Sequence, residues 1–210
     1  DTHTGKCQQV LIGHNGLVTC VALTPDGEIA VTGSEDRSVR VWNAVSGRCL
    51  ATLVCPGGWV TAVAVTPDGR WVAAGSVDSK VRVWDTLRGV TRAVIRPLDW
   101  GTPLALSDDG STAVSGGTEQ LCVWHGPSGT CRYVLNGHRS TIQALAMTSD
   151  GAVVVSADFD STVRTWDARS GIETGVWRVS SGHISSVAVT PSGSAVFVGD
   201  EFGGTRMLVA

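Results

Sequence analysis

Apolar and polar residues alternate over short runs of this chain, as they do in half-buried β-strands. Between residues 49 and 85 the alternation predicts four strands, over residues 49–54, 60–66, 70–76 and 80–85. These runs are rich in Val, Ala, Thr and Trp and contain no proline, as ladder hydrogen bonding requires. Residues 152–156, AVVVS, are apolar on both faces, which predicts small sheets stacked face to face. Because helical periodicity is absent, the pattern predicts an all-β fold.

The strand pattern repeats along the whole chain. SEDRSVRVWN at residues 34–43 returns as SVDSKVRVWD at residues 76–85, and one strand in each of four copies carries Trp42, Trp84, Trp124 or Trp166. A turn motif recurs five times, as TPDG at 24–27 and 66–69, SDDG at 107–110, TSDG at 148–151 and TPSG at 190–193. The four Trp are 40–42 residues apart, and repetition at this period is typical of propellers and solenoids. It predicts one domain, residues 1–210, with repeats at approximately 1–43, 44–85, 86–125, 126–167 and 168–210.

Two dipeptides point to a family. GH occurs at residues 13–14 and 137–138, and WD occurs at residues 84–85 and 166–167. With this period they resemble the WD-repeat β-propellers. The resemblance implies an all-β propeller of four-stranded antiparallel blades, with five WD-type repeats in this chain. The third copy departs from the pattern with His125 after its Trp, and the fifth departs further with Leu208 in place of Trp.

The two ends of the chain align with different parts of one repeat. Residues 5–7 align with residues 47–49, so we expect the N-terminus to supply the outer strand of a blade whose inner three strands come from residues 187–208. Pairing strands from both termini would close a ring and hide its edges. Propellers have four to eight blades, so the five repeats form either a small ring or part of a larger one, for example with seven blades.

The resemblance also implies a hydrogen-bonded chain that links the His of GH, a hydroxyl on the second strand, an Asp in the next turn and the Trp. The matching residues are His14, Ser34 or Thr32, Asp36 and Trp42 in the first copy, and His138, Ser156, Asp160 and Trp166 in the fourth. A buried indole N–H needs an acceptor, which a hydroxyl supplies and an imidazole connects to a carboxylate. In the fifth copy Phe202 takes the place of the Asp, which predicts a looser blade.

A His, a Ser and an Asp together also allow a hydrolase hypothesis. The set recurs in two copies, and no GxSxG turn accompanies it, so we interpret these residues as structural and predict no catalytic residue.

The residue before the first strand of each repeat is bulky in most copies: Leu17, Trp59, Trp100, Thr141 and His183. In the family this position lies on the narrow face around the central channel, together with the residue before the turn Asp: Glu35, Val77, Phe159 and Glu201. Tryptophan is enriched in interface hot spots, although both Trp could instead cap strands locally. We expect Leu17, Trp59, Trp100, Phe159, His183, Glu35 and Glu201 to bind a protein or peptide with an apolar side chain and a basic neighbour.

Composition narrows the function. With 16 basic and 19 acidic residues there is no basic stripe for nucleic acid, and no apolar run is long enough to span a membrane. Six cysteines without a CxxC pair are expected to be free thiols, which predicts a reducing, cytoplasmic location. The five histidines lack ligand spacing, so we expect no metal and no cofactor.

These observations favour a non-enzymatic scaffold or recognition domain within a multiprotein complex or a larger chain. The alternative is a sensor or autoinhibitory domain of a larger nucleotide-binding switch protein or kinase.

Overall fold

The structure is a computed structural model that describes residues 4–96, 103–179 and 182–209. Every regular element in these ranges is a β-strand, and the strands form five antiparallel sheets of consecutive strands, which we call blades 1 to 5. Blade 1 contains β1 (Val18–Leu23), β2 (Ile29–Ser34), β3 (Ser38–Asn43) and β4 (Cys49–Val54). Blade 2 contains β5 (Val60–Val65), β6 (Trp71–Ser76), β7 (Lys80–Asp85) and β8 (Val90–Ile95).

The remaining blades follow the same plan. Blade 3 contains β9 (Leu104–Leu106), β10 (Thr112–Gly116), β11 (Gln120–His125) and β12 (Thr130–Asn136). Blade 4 contains β13 (Ile142–Met147), β14 (Val153–Asp158), β15 (Thr162–Asp167) and β16 (Ile172–Arg178). Blade 5 contains β17 (Ile184–Val189), β18 (Ala195–Asp200) and β19 (Thr205–Val209). The all-β prediction and its antiparallel blades are therefore confirmed.

The repeated TPDG-type motif builds the turn between the first two strands of a blade. In blade 1 the Thr24 hydroxyl donates to the Asp26 carboxylate at 2.5 Å and accepts the Ile29 N–H at 3.0 Å. Gly27 follows with a φ of 72°, a left-handed conformation that glycine adopts without strain. Thr66 with Asp68, Ser107 with Asp109, and Thr148 with Asp150 make the same side-chain bond. One turn design therefore recurs in four blades.

Each blade has two faces that pack differently. We call the face that carries Val21, Leu23 and Trp42 in blade 1 the front face, and the face that carries Val31 and Val41 the back face; the equivalent faces of the other blades take the same names. Four hydrophobic clusters join the back face of one blade to the front face of the next, from blade 1 through blade 5. The second and third strands of the three middle blades are mostly buried, as the apolar run at residues 152–156 predicts.

The N-terminal segment does not form the expected outer strand. Residues 5–13 contain no strand, and blade 5 has three strands among the residues that the structure describes. Instead, the Gln9 side-chain amide donates to the Val45 carbonyl at 3.1 Å, which holds this segment beside the outer turn of blade 1. The expectation that strands from both termini share one blade is therefore corrected. The number of blades in a complete ring stays a prediction.

All six cysteines are free, as expected. No helix in the described ranges is long and apolar enough to cross a membrane.

Candidate partner-binding rim

A continuous hydrogen-bonded chain crosses blade 4. The Trp166 Nε1–H donates to the Ser156 hydroxyl oxygen at 2.8 Å, and Ser156 Oγ lies 2.6 Å from His138 Nε2. His138 Nδ1 lies 2.8 Å from the Asp158 carboxylate. A neutral imidazole with its proton on Nδ1 satisfies every member: the indole donates to Ser156, Ser156 donates to His138, and His138 donates to Asp158.

Blade 1 contains the same chain, and it uses one of the two hydroxyls that the sequence left open. Trp42 Nε1–H donates to Thr32 Oγ1 at 2.8 Å, and Thr32 Oγ1 lies 2.7 Å from His14 Nε2, whose Nδ1 lies 2.9 Å from Asp36. Thr32 is diagonal to Trp42 on the front face, since Trp42 pairs with Ala30. Ser34 lies two residues further along and accepts the Asp36 N–H instead. The link is therefore Thr32, and Ser34, the other predicted candidate, is not part of the chain.

The carboxylate of blade 4 also differs from the expected one. Asp158, at the end of β14, accepts from His138, whereas Asp160 lies two residues later on the exposed turn. Asp158 also accepts the Thr162 N–H at 2.8 Å, just as Asp36 accepts the equivalent Ser38 N–H at 2.9 Å. Asp158 lies two positions before the equivalent of Asp36 in the repeat. Because the turn folds back on itself, both carboxylates still reach the imidazole and the turn N–H of their own blade. Asp160 is thus not part of the network.

The protonation states of His138 and Asp36 agree with a neutral imidazole that donates a hydrogen bond to an ionised carboxylate. Burial lowers the pKa of His138 below its ordinary value, outweighing the opposing effect of Asp158. Partial burial acts to raise the pKa of Asp36, but hydrogen bonds from the Ser38 hydroxyl, the Asn15 N–H and His14 outweigh it and hold that pKa well below its usual range. The imidazole of blade 4 is therefore neutral and the carboxylate of blade 1 is ionised near pH 7.

Other blades replace parts of the chain. In blade 2 the buried Arg82 guanidinium donates to Asp78 Oδ2 at 2.6 Å and to Asp78 Oδ1 at 3.1 Å, and it also donates to Ser76. The hydrogen bond from Arg82 is the main cause that lowers the pKa of Asp78. Blade 2 is therefore held by a two-pronged ion pair in place of an imidazole.

Blade 5 keeps a carboxylate despite Phe202. Asp200 accepts the Phe202 N–H at 3.0 Å and the Gly204 N–H at 2.8 Å, so it holds the turn from the position that Asp158 occupies in blade 4. Phe202 occupies the position of Asp36, as expected, and Asp200, two residues earlier, makes the contacts with the turn. That blade 5 is looser stays a prediction.

The geometry opposes the hydrolase hypothesis. Ser156, His138 and Asp158 have hydrogen bonds of triad length, but all three side chains are buried. The Ser156 oxygen is also occupied by the Trp166 N–H. A nucleophile must be able to reach its substrate. These side chains therefore stabilise the blade.

Six of the predicted binding residues, those that the structure describes, lie at the same end of their blades. The N–H of Glu35 donates to the carbonyl of Leu17, that of Val77 to Trp59, that of Phe159 to Thr141 and that of Glu201 to His183, at 2.9–3.0 Å. Each pair joins the residue before the first strand of a blade to the turn between the second and third strands. We call this end the rim, formed by the seven residues Leu17, Glu35, Trp59, Val77, Phe159, His183 and Glu201.

Apolar side chains on the rim face solvent. Leu17, Trp59, Val77 and Phe159 are exposed, and they belong to three different blades. Gly58 lets the chain pass close to Val77, since a Cβ at Gly58 would lie 2.4 Å from a Val77 methyl carbon. Backbone hydrogen bonds thus hold these exposed apolar residues at the rim.

The rim residues of blades 4 and 5 form one cluster. The Phe159 and His183 rings are stacked, with centroids 3.7 Å apart and planes at 23°. His183 Nδ1 donates to the Phe159 carbonyl oxygen at 2.7 Å, and the His183 backbone N–H donates to Glu201 Oε1 at 3.2 Å. The cluster therefore presents a flat aromatic surface beside a carboxylate.

One of the predicted binding residues has no described position, and one exposed residue at the rim was not predicted. Trp100 lies outside the described residues. The sequence analysis interpreted Phe202 only as a replacement for the turn Asp, yet its exposed ring lies at the rim against Gly182. Its hydrophobic character beside Glu201 was the available signal.

Comparison with known proteins agrees with the geometry. The family model described as WD domain, G-beta repeat matches residues 5–43, 47–85 and 129–167. The chain is 39% identical to the Periodic tryptophan protein 2 homolog of Mus musculus over 74% of this chain and 17% of that protein. It is 24% identical to the Guanine nucleotide-binding protein subunit beta of Arabidopsis thaliana, over 90% of this chain and 42% of that protein.

A third relative is the Guanine nucleotide-binding protein subunit beta-2 of Nicotiana tabacum, with 27% identity over 96% of this chain and 46% of that protein. The chain spans less than half the length of each of these relatives.

The stacked four-stranded blades and their hydrogen-bonded tryptophans define a repeat protein of the β-propeller class. The chain belongs to the WD40 repeat family. Proteins of this family typically act as scaffolds for protein interactions and are generally non-enzymatic.

Proposed function

We propose that this chain is a non-enzymatic interaction scaffold that binds a protein or peptide partner at the rim. The observation that carries the proposal is the exposure of Leu17, Trp59 and Phe159 at the same end of separate blades. Aromatic side chains bury a large area on binding and have few rotamers to immobilise, which is why they dominate interface hot spots.

The chemistry of the rim favours a particular kind of partner. Glu35 and Glu201 lie beside the apolar groups, and Glu201 borders the stacked Phe159 and His183 rings. We propose a partner segment with an apolar side chain next to Lys or Arg, so that the apolar group contacts the rings while the cation approaches a carboxylate.

The relatives support a role in assemblies. Two of them are named as beta subunits of guanine nucleotide-binding proteins. We propose by analogy that this chain also works within a complex. A cytoplasmic location belongs to the same proposal, since six free thiols suit a reducing compartment. The alternative of a regulatory domain in a larger switch protein or kinase stays a prediction.

Selection from a displayed library of random peptides tests the proposal. We expect enrichment of peptides with a large apolar residue beside Lys or Arg. Trp59→Ala or Phe159→Ala should then weaken binding of a selected peptide by about 30-fold each, the size of an ordinary hot spot. Thermal melting should change little because both side chains are exposed.

The matched control uses the opposite end of the blades. Val45 and Leu87 are exposed on the turns between the third and fourth strands of blades 1 and 2. Val45→Ala and Leu87→Ala should leave peptide affinity unchanged. Equal losses at both ends would refute binding at the rim, and a large drop in melting temperature for Trp59→Ala would support local capping instead.

A further inference from the structure

A cavity lined by arginines opens beside the rim on the outer side of blade 4. Its volume is about 420 Å³, within the range of roughly 300–1,000 Å³ that is usual for ligand sites. Arg139 lines it from the segment before β13, Arg164 from β15 and Arg178 from the end of β16. All of these residues belong to blade 4 or to the segment that leads into it, and blades 3 and 5 flank them.

A second cavity extends the first one toward the rim. It shares Asp160 and Arg178 with the first cavity and is also lined by Ser161 and Gly182. In the chain, Phe159 comes directly before Asp160, and His183 comes directly after Gly182. The space around the arginines therefore begins next to the stacked rings of the rim.

Backbone hydrogen bonds tie the segments of two arginines to the turn that carries Phe159. The Phe159 N–H donates to the carbonyl of Thr141, two residues after Arg139, at 2.9 Å. The residue that follows Arg178 donates its N–H to the Ser161 carbonyl, also at 2.9 Å. The aromatic ring and the two guanidinium groups are thus held around one turn.

The unused hydrogen-bonding groups of the cavity are mainly guanidinium N–H groups. Arg139 and Arg178 are exposed, and neither forms an ion pair or a side-chain hydrogen bond with a described residue. Arg164 donates to Glu173, and its Nε is buried without a partner. Because a guanidinium carries five N–H donors in a planar fork, two free arginines offer a site for a group that accepts several hydrogen bonds.

The carboxylates of the cavity limit the kind of group that fits. Glu173 is paired with Arg164, and Asp158 accepts from a buried imidazole and from a backbone N–H of its own turn. Asp160 is the one lining carboxylate without a partner among the described residues. Three arginines and three carboxylates give a formal balance of charge. The cavity therefore suits a single carboxylate, and a polyanion such as nucleic acid would meet as much repulsion as attraction.

We propose that this cavity binds the side chain of an Asp or Glu in the partner segment that contacts the rim. The inference rests on the proposed function and adds a second anchor to it. A carboxylate accepts two parallel N–H bonds from one guanidinium, which is the strongest and most directional contact that Arg139 or Arg178 can make.

The distance between the two anchors sets the spacing of the partner's residues. Ser161 is two residues from Phe159, at most about 7 Å away, and the paired strand end that carries Arg178 adds about 5 Å. An extended segment advances about 3.3 Å per residue. The acidic residue should therefore stand no more than about four residues from the apolar residue that contacts Phe159.

Groups of opposite charge neighbour Phe159, and they favour one direction of the partner. Glu201 accepts the N–H of His183, whose ring is stacked on Phe159, whereas Arg139 and Arg178 line the cavity on the outer side of blade 4. A segment with Lys or Arg on one side of its apolar residue and Asp or Glu on the other meets both. Reversing the order of these residues should weaken binding, because each charge would then meet its own sign.

Fluorescence polarisation with synthetic peptides tests the proposal. Each peptide carries a large apolar residue next to Lys and a Glu two, three or four residues away on the other side, in both chain directions. Its matched peptide carries Gln in place of Glu. For the best Glu peptide we expect the Gln form to bind about 10-fold more weakly, because hydrogen bonds between charged groups are lost.

Variants of the cavity assign this difference to the arginines. Arg139→Gln combined with Arg178→Gln should weaken the Glu peptide about 10-fold and leave the Gln peptide unchanged, as a double-mutant cycle requires of groups in contact. Asp160→Asn should strengthen binding of the Glu peptide about threefold by removing a competing carboxylate. The matched control, Arg92→Gln with Arg132→Gln, removes two exposed arginines from the outer strands of blades 2 and 3 and should leave both affinities unchanged.

Phe159→Ala separates this inference from the proposed function. It should weaken the Glu peptide and the Gln peptide alike, and no effect on either would refute binding at the rim itself. If Phe159→Ala weakens both peptides but Glu and Gln forms bind the wild type equally, the rim stands and the acidic contact is wrong. Equal losses for both peptides in the Arg139 and Arg178 variant would also overturn the inference.

Discussion

Two hydroxyls in blade 1 allow a sharp test of the hydrogen-bonded chain. Thr32 links Trp42 to His14, whereas Ser34 only accepts the Asp36 N–H at 3.1 Å. Thr32→Val keeps the shape of the side chain but leaves the indole N–H and the imidazole Nε2 without their partner. Each unsatisfied buried group costs about 1–3 kcal/mol, so we expect a loss of about 3 kcal/mol.

Ser34→Ala should cost less. It removes one hydrogen bond to a backbone N–H in a turn, worth about 1 kcal/mol. With an m-value of about 3 kcal/mol/M for a chain of this size, the urea midpoint should fall by about 1 M for Thr32→Val and about 0.3 M for Ser34→Ala.

Urea unfolding monitored by tryptophan fluorescence and by circular dichroism measures both variants. The two probes must give one transition with an unchanged m-value, because repeat proteins can lose cooperativity. Equal midpoint shifts, or a larger shift for Ser34→Ala, would refute the assignment of Thr32 as the link.

Three further predictions concern the blades. Asp158→Asn should lower the free energy of unfolding by about 2 kcal/mol, whereas Asp160→Asn should change it by no more than about 0.5 kcal/mol; urea titration giving the reverse order would contradict the network. Arg82→Lys should cost about 2 kcal/mol by calorimetry through loss of the two-pronged pair with Asp78, and an unchanged melting temperature would disprove that role. Burial lowers the pKa of His138, so the folded state binds its proton less readily than the unfolded state. Stability should then fall as pH drops below about 6.5, and His138→Gln should flatten the dependence between pH 7 and pH 5; an unchanged slope would argue against it.

Much of the fold could be predicted because each repeat encodes its own turns. Thr24 and Asp26 bond to each other and to nearby backbone groups, so their chemistry is local and readable from four letters. The Trp spacing similarly fixes which strands share a blade. These features depend on short sequence separations that tertiary packing does not alter.

The predictions of network residues that were wrong concern contacts that depend on how the chain folds back in space. Ser34 and Thr32 both fit the family pattern, and only the register of Trp42 opposite Ala30 selects Thr32. Asp158 and Asp160 are two residues apart, and the path of the turn decides which of the two carboxylates contacts His138.

Substitution across blades was equally hard to foresee. Arg82 comes from the third strand, yet it fills the role that His14 performs in blade 1 from before the first strand. The repeat alignment compares equivalent positions. A residue such as Arg82, which takes over the role of His14 from a different position of the repeat, therefore cannot be found in it. The prediction for the N-terminal segment was wrong for a related reason, since the repeat alignment does not show whether the segment reaches the free edge of β19.

Backbone amide NMR with a library-selected peptide tests the central claim most directly. The amides of Glu35, Val77, Phe159 and Glu201 all donate to carbonyls at the rim, and those of Gly27 and Gly69 lie in turns at the opposite end. We predict that peptide binding shifts the four rim amides and leaves the two turn glycines unchanged. Shifts confined to the turn glycines, with the rim amides unmoved, would contradict the account.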